Sequence, residues 1–271
     1  MPNAAHKILI NAPYEVVLEL LIDKMERPKK YVGTIQNSRI VDRGDGFIVR
    51  EMYEPKPTDL LIREKIYRRP IIGGEEFVYE HLNNAKYTGF FHNLLTRVPG
   101  QPGQCELEYV MDWRPHPGTE DPIESAQADR MVAGGVTHMK ALAENPPEVP
   151  DFVRAFYEAV DSLDANAMAP LLADNVRFRM GSHSDLIGKE RVLHLNAEVM
   201  THWTMIKHHY VDVFSDRNKT FVECFVEYVL PNGKDYLLPF LTVFERDDEK
   251  ITNIKVFGDP SPLIHGWPVE G

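Results

Sequence analysis

The pattern of apolar and polar positions in the first half of the chain predicts a helix, several strands and a second helix. Residues 14–25 place Val17, Leu20 and Leu21 on one face and acidic residues on the other, which is the period of an amphipathic helix. Alternation typical of half-buried strands recurs in the runs 47–53, 60–67, 77–81 and 105–113. A helical period over residues 123–143 closes this half.

The second half has a different order of elements. The periodicity predicts a helix over residues 149–163, a short helix that begins at about 167 and ends near Asp174-Asn175, a strand over 176–180 and a helix that opens at Gly188. Four strands follow, separated by polar turn sequences, over residues 208–214, 221–230, 236–244 and 251–257. Because the two halves differ in element order, we expect two unrelated α+β domains, 1–145 and 146–271, with a boundary in the proline-rich stretch 145–150.

Composition narrows the class of protein. The chain has 271 residues, 43% of them hydrophobic and 26% charged, as in soluble globular proteins. A net charge of -11 argues against nucleic-acid and anionic-membrane partners, because phosphate binding needs a basic face. Cys105 and Cys224 lie alone in apolar segments, which favours buried free thiols and a reducing compartment. With no apolar signal segment, we expect a cytoplasmic location.

Short phrases in the first half carry a family resemblance. These are residues 8–13 (Ile-Leu-Ile-Asn-Ala-Pro), 24–32 with Pro28, 106–109 and Trp113-Arg114. They are similar to the START/Bet v 1 (SRPBCC) superfamily, and within it to a subgroup typified by acetylaranotin-cluster protein L. The resemblance covers about residues 5–144. It implies a helix-grip fold, in which a curved sheet and the terminal helix enclose a deep apolar cavity.

The second half resembles another family more closely. The phrases are Asp174-Asn175-Val176-Arg177-Phe178, residues 188–190, 232–234, 238–239 and 250–254, and the ending 256–263. They resemble the SnoaL-like polyketide-cyclase group of the nuclear-transport-factor-2-like superfamily, over about residues 150–264. This resemblance implies a conical α+β barrel with a pocket, and a homodimer formed through the outer face of the sheet.

Four residues of the second half are candidates for proton transfer. Asp259 follows the last strand, where SnoaL-like proteins typically carry an aspartate near the pocket. In a dry pocket its pKa would rise, but it could equally cap the turn before Pro260. His208 and His209 are adjacent on a strand, so only one can face the pocket, and either could instead be a core histidine. His183 lies in a loop that could also be a solvated connection.

Three further residues complete the predicted site. Glu223 and Glu227 share a strand face with two phenylalanines, and could form an acid/base pair or lie at the margin of a dimer surface. Tyr236, at the start of the next strand, could donate its hydroxyl to a carbonyl oxygen.

Two features of the first half stay open. Gly134-Gly135 inside the predicted helix costs about 1 kcal/mol per glycine relative to alanine. A close neighbour, a bend or simple tolerance would each account for the pair. Arg50 and Arg63 lie mid-strand. Either could bind a carboxylate or phenolate inside a cavity, although solvent-facing arginines are the commoner outcome on an open sheet.

The sequence contains no phosphate-binding glycine motif, no His-Glu-x-x-His or paired Cys-x-x-Cys motif and no Gly-x-Ser-x-Gly. We therefore expect no cofactor and no metal. The function that follows is a cofactor-independent tailoring enzyme of secondary metabolism, which cyclises, isomerises or dehydrates an apolar, carbonyl-bearing intermediate. The alternative is a carrier that binds a hydrophobic small molecule without reaction.

Overall fold

The chain divides into two compact units, Met1–Asn145 and Pro146–Gly271. The computed structural model describes residues 3–55, 60–119, 123–146, 149–247 and 249–263. Pro147 and Glu148 of the predicted boundary lie outside the described residues. Within the described part of the chain, no helix is long and apolar enough to cross a membrane.

The first unit is one antiparallel sheet with two helices. Its strands are β1 (Asn3–Ile10), β2 (Asn37–Gly44), β3 (Phe47–Glu54), β4 (Leu60–Ile71), β5 (Gly74–His81), β6 (Tyr87–Arg97) and β7 (Cys105–Pro115). The helices are α1 (Tyr14–Glu26), followed by a 3₁₀ turn Pro28–Lys30, and α2 (Ser125–Glu144). The sheet order is β1-β7-β6-β5-β4-β3-β2, so the first and seventh strands pair and the others form a meander.

Two of these strands have no clear signal in the sequence. β2 is an edge strand that is mostly exposed, so it lacks an apolar face. β6 contains the neighbours Phe90-Phe91 and Leu94-Leu95, which break the alternation of period two. Both of its faces are at least partly buried over this stretch, and continuous apolar runs are typical of such strands.

Helix α2 packs across β1 and β7 and buries the apolar stripe Val132, Val136 and Met139. Gly135 lies in this stripe, and a Cβ atom there would be 3.3 Å from two ring atoms of Tyr109. The glycine therefore lets the helix approach the strand closely, whereas a Cβ on Gly134 would meet nothing within 4 Å. The expectation of a close neighbour is confirmed for Gly135.

The second unit places three helical segments against a six-stranded sheet. The helical segments are α3 (Asp151–Asp161), a 3₁₀ helix (Ala165–Leu171) and α4 (Lys189–Met200), with a further 3₁₀ turn at Ser261–Leu263. The strands are β8 (Leu172–Met180), β9 (Leu186–Ile187), β10 (Met205–Asp216), β11 (Lys219–Val229), β12 (Asp235–Asp247) and β13 (Lys250–Gly258). The order is β10-β11-β12-β13-β8-β9, with β13 and β8 parallel.

The second helical segment of this unit ends at Leu171, before the predicted end near Asp174-Asn175. Asp174 and Asn175 lie in β8 and not at a helix end, because the strand already begins at Leu172, which pairs with Ile251. Pro170 lies inside the 3₁₀ helix Ala165–Leu171. Because it has no N–H to donate, it disfavours a regular α-helix at this point.

The two faces of this sheet differ in chemistry. Residues directly opposite each other on paired strands share a face of the sheet. The register therefore assigns every side chain to one face or the other. On β11, Val222, Cys224, Val226 and Tyr228 are buried on the side that packs against the helices. The alternate residues of β11, with Leu241 and Phe257 in register beside them, form the opposite side, called the outer face below.

Candidate functional site

The second unit encloses an apolar cavity of about 700 Å³. Phe156 and Val160 of α3 line one wall, and Val226 and Phe240 of the sheet line another. Residues of α4 and Leu263 of the terminal 3₁₀ turn complete it. A cavity of this size accommodates an organic molecule of several fused rings.

A histidine in the wall of this cavity forms a pair with an aspartate of α3. Nδ1 of His208, on β10, lies 2.6 Å from Oδ1 of Asp161, the last residue of α3. The other oxygen, Oδ2, accepts the backbone N–H of His208 at 3.2 Å. Since the carboxylate accepts a hydrogen bond from Nδ1–H, Nε2 is the ring nitrogen left for a ligand. Both side chains are largely buried, which strengthens the pair.

Tyr157 fixes the plane of the imidazole. Its ring stacks on His208 with centroids 4.0 Å apart and an angle of 23°. Burial raises the pKa of the Tyr157 phenol well above its usual value, so the hydroxyl keeps its proton. This hydroxyl lies beside Thr242 and Cys224, and its hydrogen bonds with these two side chains also affect its pKa. It is therefore a neutral donor in the wall of the cavity.

Asp259 lies outside this arrangement. It is exposed at the end of β13, and it accepts the backbone N–H of Ser261 at 2.9 Å. Hydrogen bonds from the side chain and backbone of Ser261 hold the pKa of the Asp259 carboxyl below its usual value. The expectation of a raised pKa in a dry pocket is wrong, because the carboxylate caps the turn around Pro260 in contact with solvent.

His209 points away from the cavity. Its Nε2 lies 3.1 Å from Oε2 of Glu227, and both side chains are buried. By register Glu223, which is exposed, shares the outer face with this pair. The alternation along β10 therefore assigns the two adjacent histidines to different environments, with His208 at the cavity and His209 at the outer face.

The two remaining predicted residues, His183 and Tyr236, lie in different parts of the unit. His183 lines the cavity, but it is exposed in the loop after β8. Tyr236 pairs with Tyr228 on the inner face, where it packs at the edge of the core and under Lys234, whose Nζ is 4.8 Å from its ring centroid. Of the seven predicted site residues, the structure thus places His208 and His183 in the wall of the cavity.

Sequence reasoning missed Asp161 and Tyr157. Asp161 lies four residues after Tyr157 on the buried face of α3, where an acidic side chain is uncommon. An acidic residue on a buried helix face was the one feature of the sequence that could have indicated Asp161. The pairing with His208 bridges 47 residues of sequence, and only the packing of α3 on β10 brings it about.

The first unit has a cavity of its own, of about 370 Å³. Arg50 lines it and is buried, so the expectation of a solvent-facing arginine is wrong at this position. The guanidinium donates to Oε2 of Glu64 at 2.9 and 3.1 Å and to the backbone oxygen of Lys24 at 2.6 Å. Arg63, by contrast, is exposed beside Glu51.

Among the described residues, no group of three or more histidine, cysteine or carboxylate side chains could hold a metal ion. Cys105 and Cys224 are both buried and free. Burial raises the pKa of each thiol to about 12, so neither thiol is a nucleophile near neutral pH.

Residues 153–254 match the family model described as the SnoaL-like domain, as the phrases in the sequence predict. No curated protein matches the chain. The second unit is therefore a SnoaL-like domain within an α+β chain, and the START/Bet v 1 resemblance of the sheet-rich first unit stays a prediction.

Solved structures also resemble the chain. One is a putative SnoaL-like polyketide cyclase from Jannaschia sp. CCS1, 14% identical over 42% of this chain and 87% of the other, with a TM-score of 0.39. A hypothetical protein with a ketosteroid isomerase-like fold from Catenulispora acidiphila is 15% identical over 40% and 85%, with a TM-score of 0.38. A LEH-like epoxide hydrolase of M. tuberculosis is 20% identical over 41% of this chain and 83% of the other, with a TM-score of 0.37.

Proposed function

We propose that the second unit is a cofactor-independent acid/base enzyme that acts on an apolar, carbonyl-bearing small molecule. The observation that supports this most directly is the 2.6 Å contact between Asp161 and Nδ1 of His208, which lines a largely apolar cavity. A general base needs a free nitrogen, a fixed orientation and a partner that stabilises its charged form. Asp161 supplies the last two and leaves Nε2 as the reactive nitrogen.

In this proposal His208 Nε2 removes a proton from the carbon next to the carbonyl group, and the Asp161 carboxylate stabilises the imidazolium that forms. The same proton is then returned to another atom of the substrate. Return to a different carbon isomerises it, and return to a leaving hydroxyl dehydrates it. Attack of the enolate on a second carbonyl closes a ring. A base in position contributes about 10²–10⁴-fold to the rate of such a step.

The rest of the cavity holds and shapes the substrate. Its apolar wall excludes water, and this strengthens the field of the ion pair that forms during proton transfer. The Tyr157 hydroxyl, which keeps its proton and belongs to a residue that lines the cavity, is the donor we assign to the developing oxyanion, in place of Tyr236. An apolar wall that folds a flexible chain into a reactive shape also lowers the entropic part of the barrier.

The experiment measures deuterium exchange at the α-carbon of 1-tetralone, an apolar bicyclic ketone, in D₂O by mass spectrometry. We expect the wild-type protein to exceed the buffer rate and His208→Gln to lose about 10²-fold or more of that excess. His202→Gln, an exposed histidine of the same unit, is the matched control. Exchange at the buffer rate in the wild type, or full activity in His208→Gln, contradicts the proposal.

A carrier function is the second candidate, and the size and apolar character of the cavity favour it equally. A carrier binds the ligand through Val226, Phe240 and their neighbours and does not need the orientation of His208. Val226→Asp would then abolish binding, while His208→Gln would bind and release the ligand like the wild type. Measured turnover that depends on His208 would exclude a function limited to carriage.

We further propose that the first unit is a helix-grip domain of the START/Bet v 1 type. Support comes from the element order, in which a strand and a helix precede six consecutive antiparallel strands and the long helix α2. A crystal structure of the protein, superposed on members of that superfamily, tests this assignment.

A further inference from the structure

The cavity of the first unit contains a buried lysine that has no described carboxylate partner. Lys24, in the last turn of α1, is 6% exposed and lines the cavity. Its Nζ donates to Oδ1 of Asn93 at 2.9 Å and to the hydroxyl oxygen of Tyr109 at 3.1 Å. Both acceptors are neutral. The amine also lies 4.2, 5.2 and 5.5 Å from the ring centroids of Tyr109, Tyr79 and Phe91, which attract a cation but carry no charge to neutralise it.

The other charges beside Lys24 cancel each other. Arg50, on β3, and Glu64, on β4, form a buried ion pair with an N–O distance of 2.9 Å. His81, on β5, lies near Glu64, but its burial lowers the pKa of the imidazole, so the ring is neutral at neutral pH. The protonated cluster therefore holds a net charge of +1, located on Lys24.

The same wall contains hydrogen-bond donors that lack partners. The Tyr79 hydroxyl and the Trp113 indole N–H are buried and have no hydrogen-bond partner among the described residues, and neither do the ring nitrogens of His81. All three side chains line the cavity. Unpaired buried donors cost free energy unless a ligand or water accepts from them, so the wall is matched to a ligand that carries acceptor oxygens.

We propose that the first unit binds an apolar small molecule that carries one anionic oxygen group, a carboxylate or a phenolate, and that Lys24 holds this group. The apolar part of the ligand lies against Phe91, Met111 and Met139, which line the same cavity. This site is separate from the acid/base pair of the second unit, and it stands whether or not that pair is catalytic.

The surroundings of Lys24 make such binding depend on pH. Burial, with Arg50 nearby, lowers the pKa of Lys24 to about 7, while Glu64 opposes this shift. The phenols of Tyr79 and Tyr109 face the amine, and burial raises the pKa of both, so they stay neutral. An anionic ligand favours the protonated amine, so binding takes up a proton, and affinity falls as the pH rises above 7.

His138 of α2 and the side chains Glu54 and Lys86 also line this cavity. His138 is exposed and contacts the backbone oxygen of Lys30 at 3.2 Å. None of the three is hydrogen-bonded to the Lys24 amine, so the pH dependence is assigned to Lys24.

The test is calorimetric titration of the full chain with 2-naphthoate and with its neutral counterpart 2-naphthamide. We expect naphthoate to bind more tightly, and Lys24→Met to weaken it about 10- to 100-fold without changing the affinity for naphthamide. Lys29→Met, an exposed lysine just after α1, is the matched control and should bind like the wild type. Equal affinities for the two probes, or unchanged naphthoate binding in Lys24→Met, overturn the proposal.

A measurement on the wild-type protein does not depend on the folding of any variant. Titration at pH 8 in two buffers of different ionisation enthalpy gives the number of protons taken up with naphthoate. We expect an uptake approaching one proton, and affinity that decreases between pH 7 and pH 9. Binding without proton uptake, or no saturable binding of naphthoate, contradicts the assignment to Lys24.

Discussion

Nδ1 of His208 and Oδ1 of Asp161 lie 2.6 Å apart at the edge of an apolar cavity, on a strand and at the end of a helix respectively. The backbone N–H of His208 donates to the same carboxylate, so the aspartate is held from two directions. Stacking against Tyr157 then fixes the ring. These three contacts orient one nitrogen of one of the two adjacent histidines and make it the best-defined proton acceptor of the second unit.

Asp161→Asn should reduce α-proton exchange of 1-tetralone by about 10²- to 10⁴-fold, because the base loses the partner that orients it and stabilises its charged form. The amide oxygen can still accept a hydrogen bond from Nδ1–H, but the neutral side chain no longer stabilises the imidazolium. The pH profile of the exchange rate should also be displaced relative to that of the wild type. A purely structural role of Asp161 would not cause this displacement. A rate within twofold of the wild type, with an unchanged pH profile, would show that Asp161 does not assist His208.

The stability of the protein should rise with pH more steeply than that of Lys24→Met. The folded-state pKa of Lys24 is about 7, below its usual value of 10.5. Between these values the unfolded chain binds the proton and the folded chain does not, so the unfolding free energy increases with pH. From pH 7 to 9.5 the difference between the two proteins should change by about 3 kcal/mol.

Urea unfolding at several pH values in this window measures that difference. Other groups titrate in both proteins, so their contributions cancel when the two curves are subtracted. Parallel curves for the wild type and Lys24→Met would mean that Lys24 keeps its ordinary pKa in the folded state.

Arg50→Met should destabilise the first unit by about 3–5 kcal/mol, because it leaves the buried Glu64 carboxylate without its partner. The double variant Arg50→Met/Glu64→Met should recover most of this loss, since no buried charge is then left unpaired. Arg63→Met, on the exposed face of the neighbouring strand, should change stability by less than about 0.5 kcal/mol. A double variant less stable than Arg50→Met would show that the pair itself stabilises the fold.

The outer face of the second sheet should form a homodimer, because it exposes Phe214, Leu241 and Phe257 to 64%, 39% and 40%. Leu241→Glu should place two carboxylates across the two-fold axis and produce a monomer in light scattering after gel filtration. Leu61→Glu, at a comparably exposed leucine of the first unit, is the control and should stay dimeric. A wild-type protein with the mass of a monomer would remove this prediction.

Much of the fold could be read from local pattern. The long alternations of β7 and β11 and the amphipathic helices α1 and α3 have the periods that their buried faces require. The strands β2 and β6 could not be predicted in this way. The edge strand β2 lacks an apolar face, and β6 is at least partly buried on both faces. An alternating pattern indicates a strand that has one buried face. It gives no signal for a strand that has no buried face, or for one that has apolar side chains on both faces.

The candidate site divides in the same way. The sequence by itself determined that one of His208 and His209 would face inward, because successive side chains of a strand alternate between its faces. It also determined that each half would have an apolar pocket, where the boundary between the two halves lies, and that the second half is SnoaL-like. Only the tertiary structure decided that His208 is the inward histidine and that Asp161, which is 47 residues away, is its partner. It also showed that Asp259 ends in solvent and that Lys24 and Arg50 are buried. Period and composition depend on neighbours along the chain, whereas protonation and catalytic pairing depend on neighbours in space, and these are fixed when helices pack on a sheet.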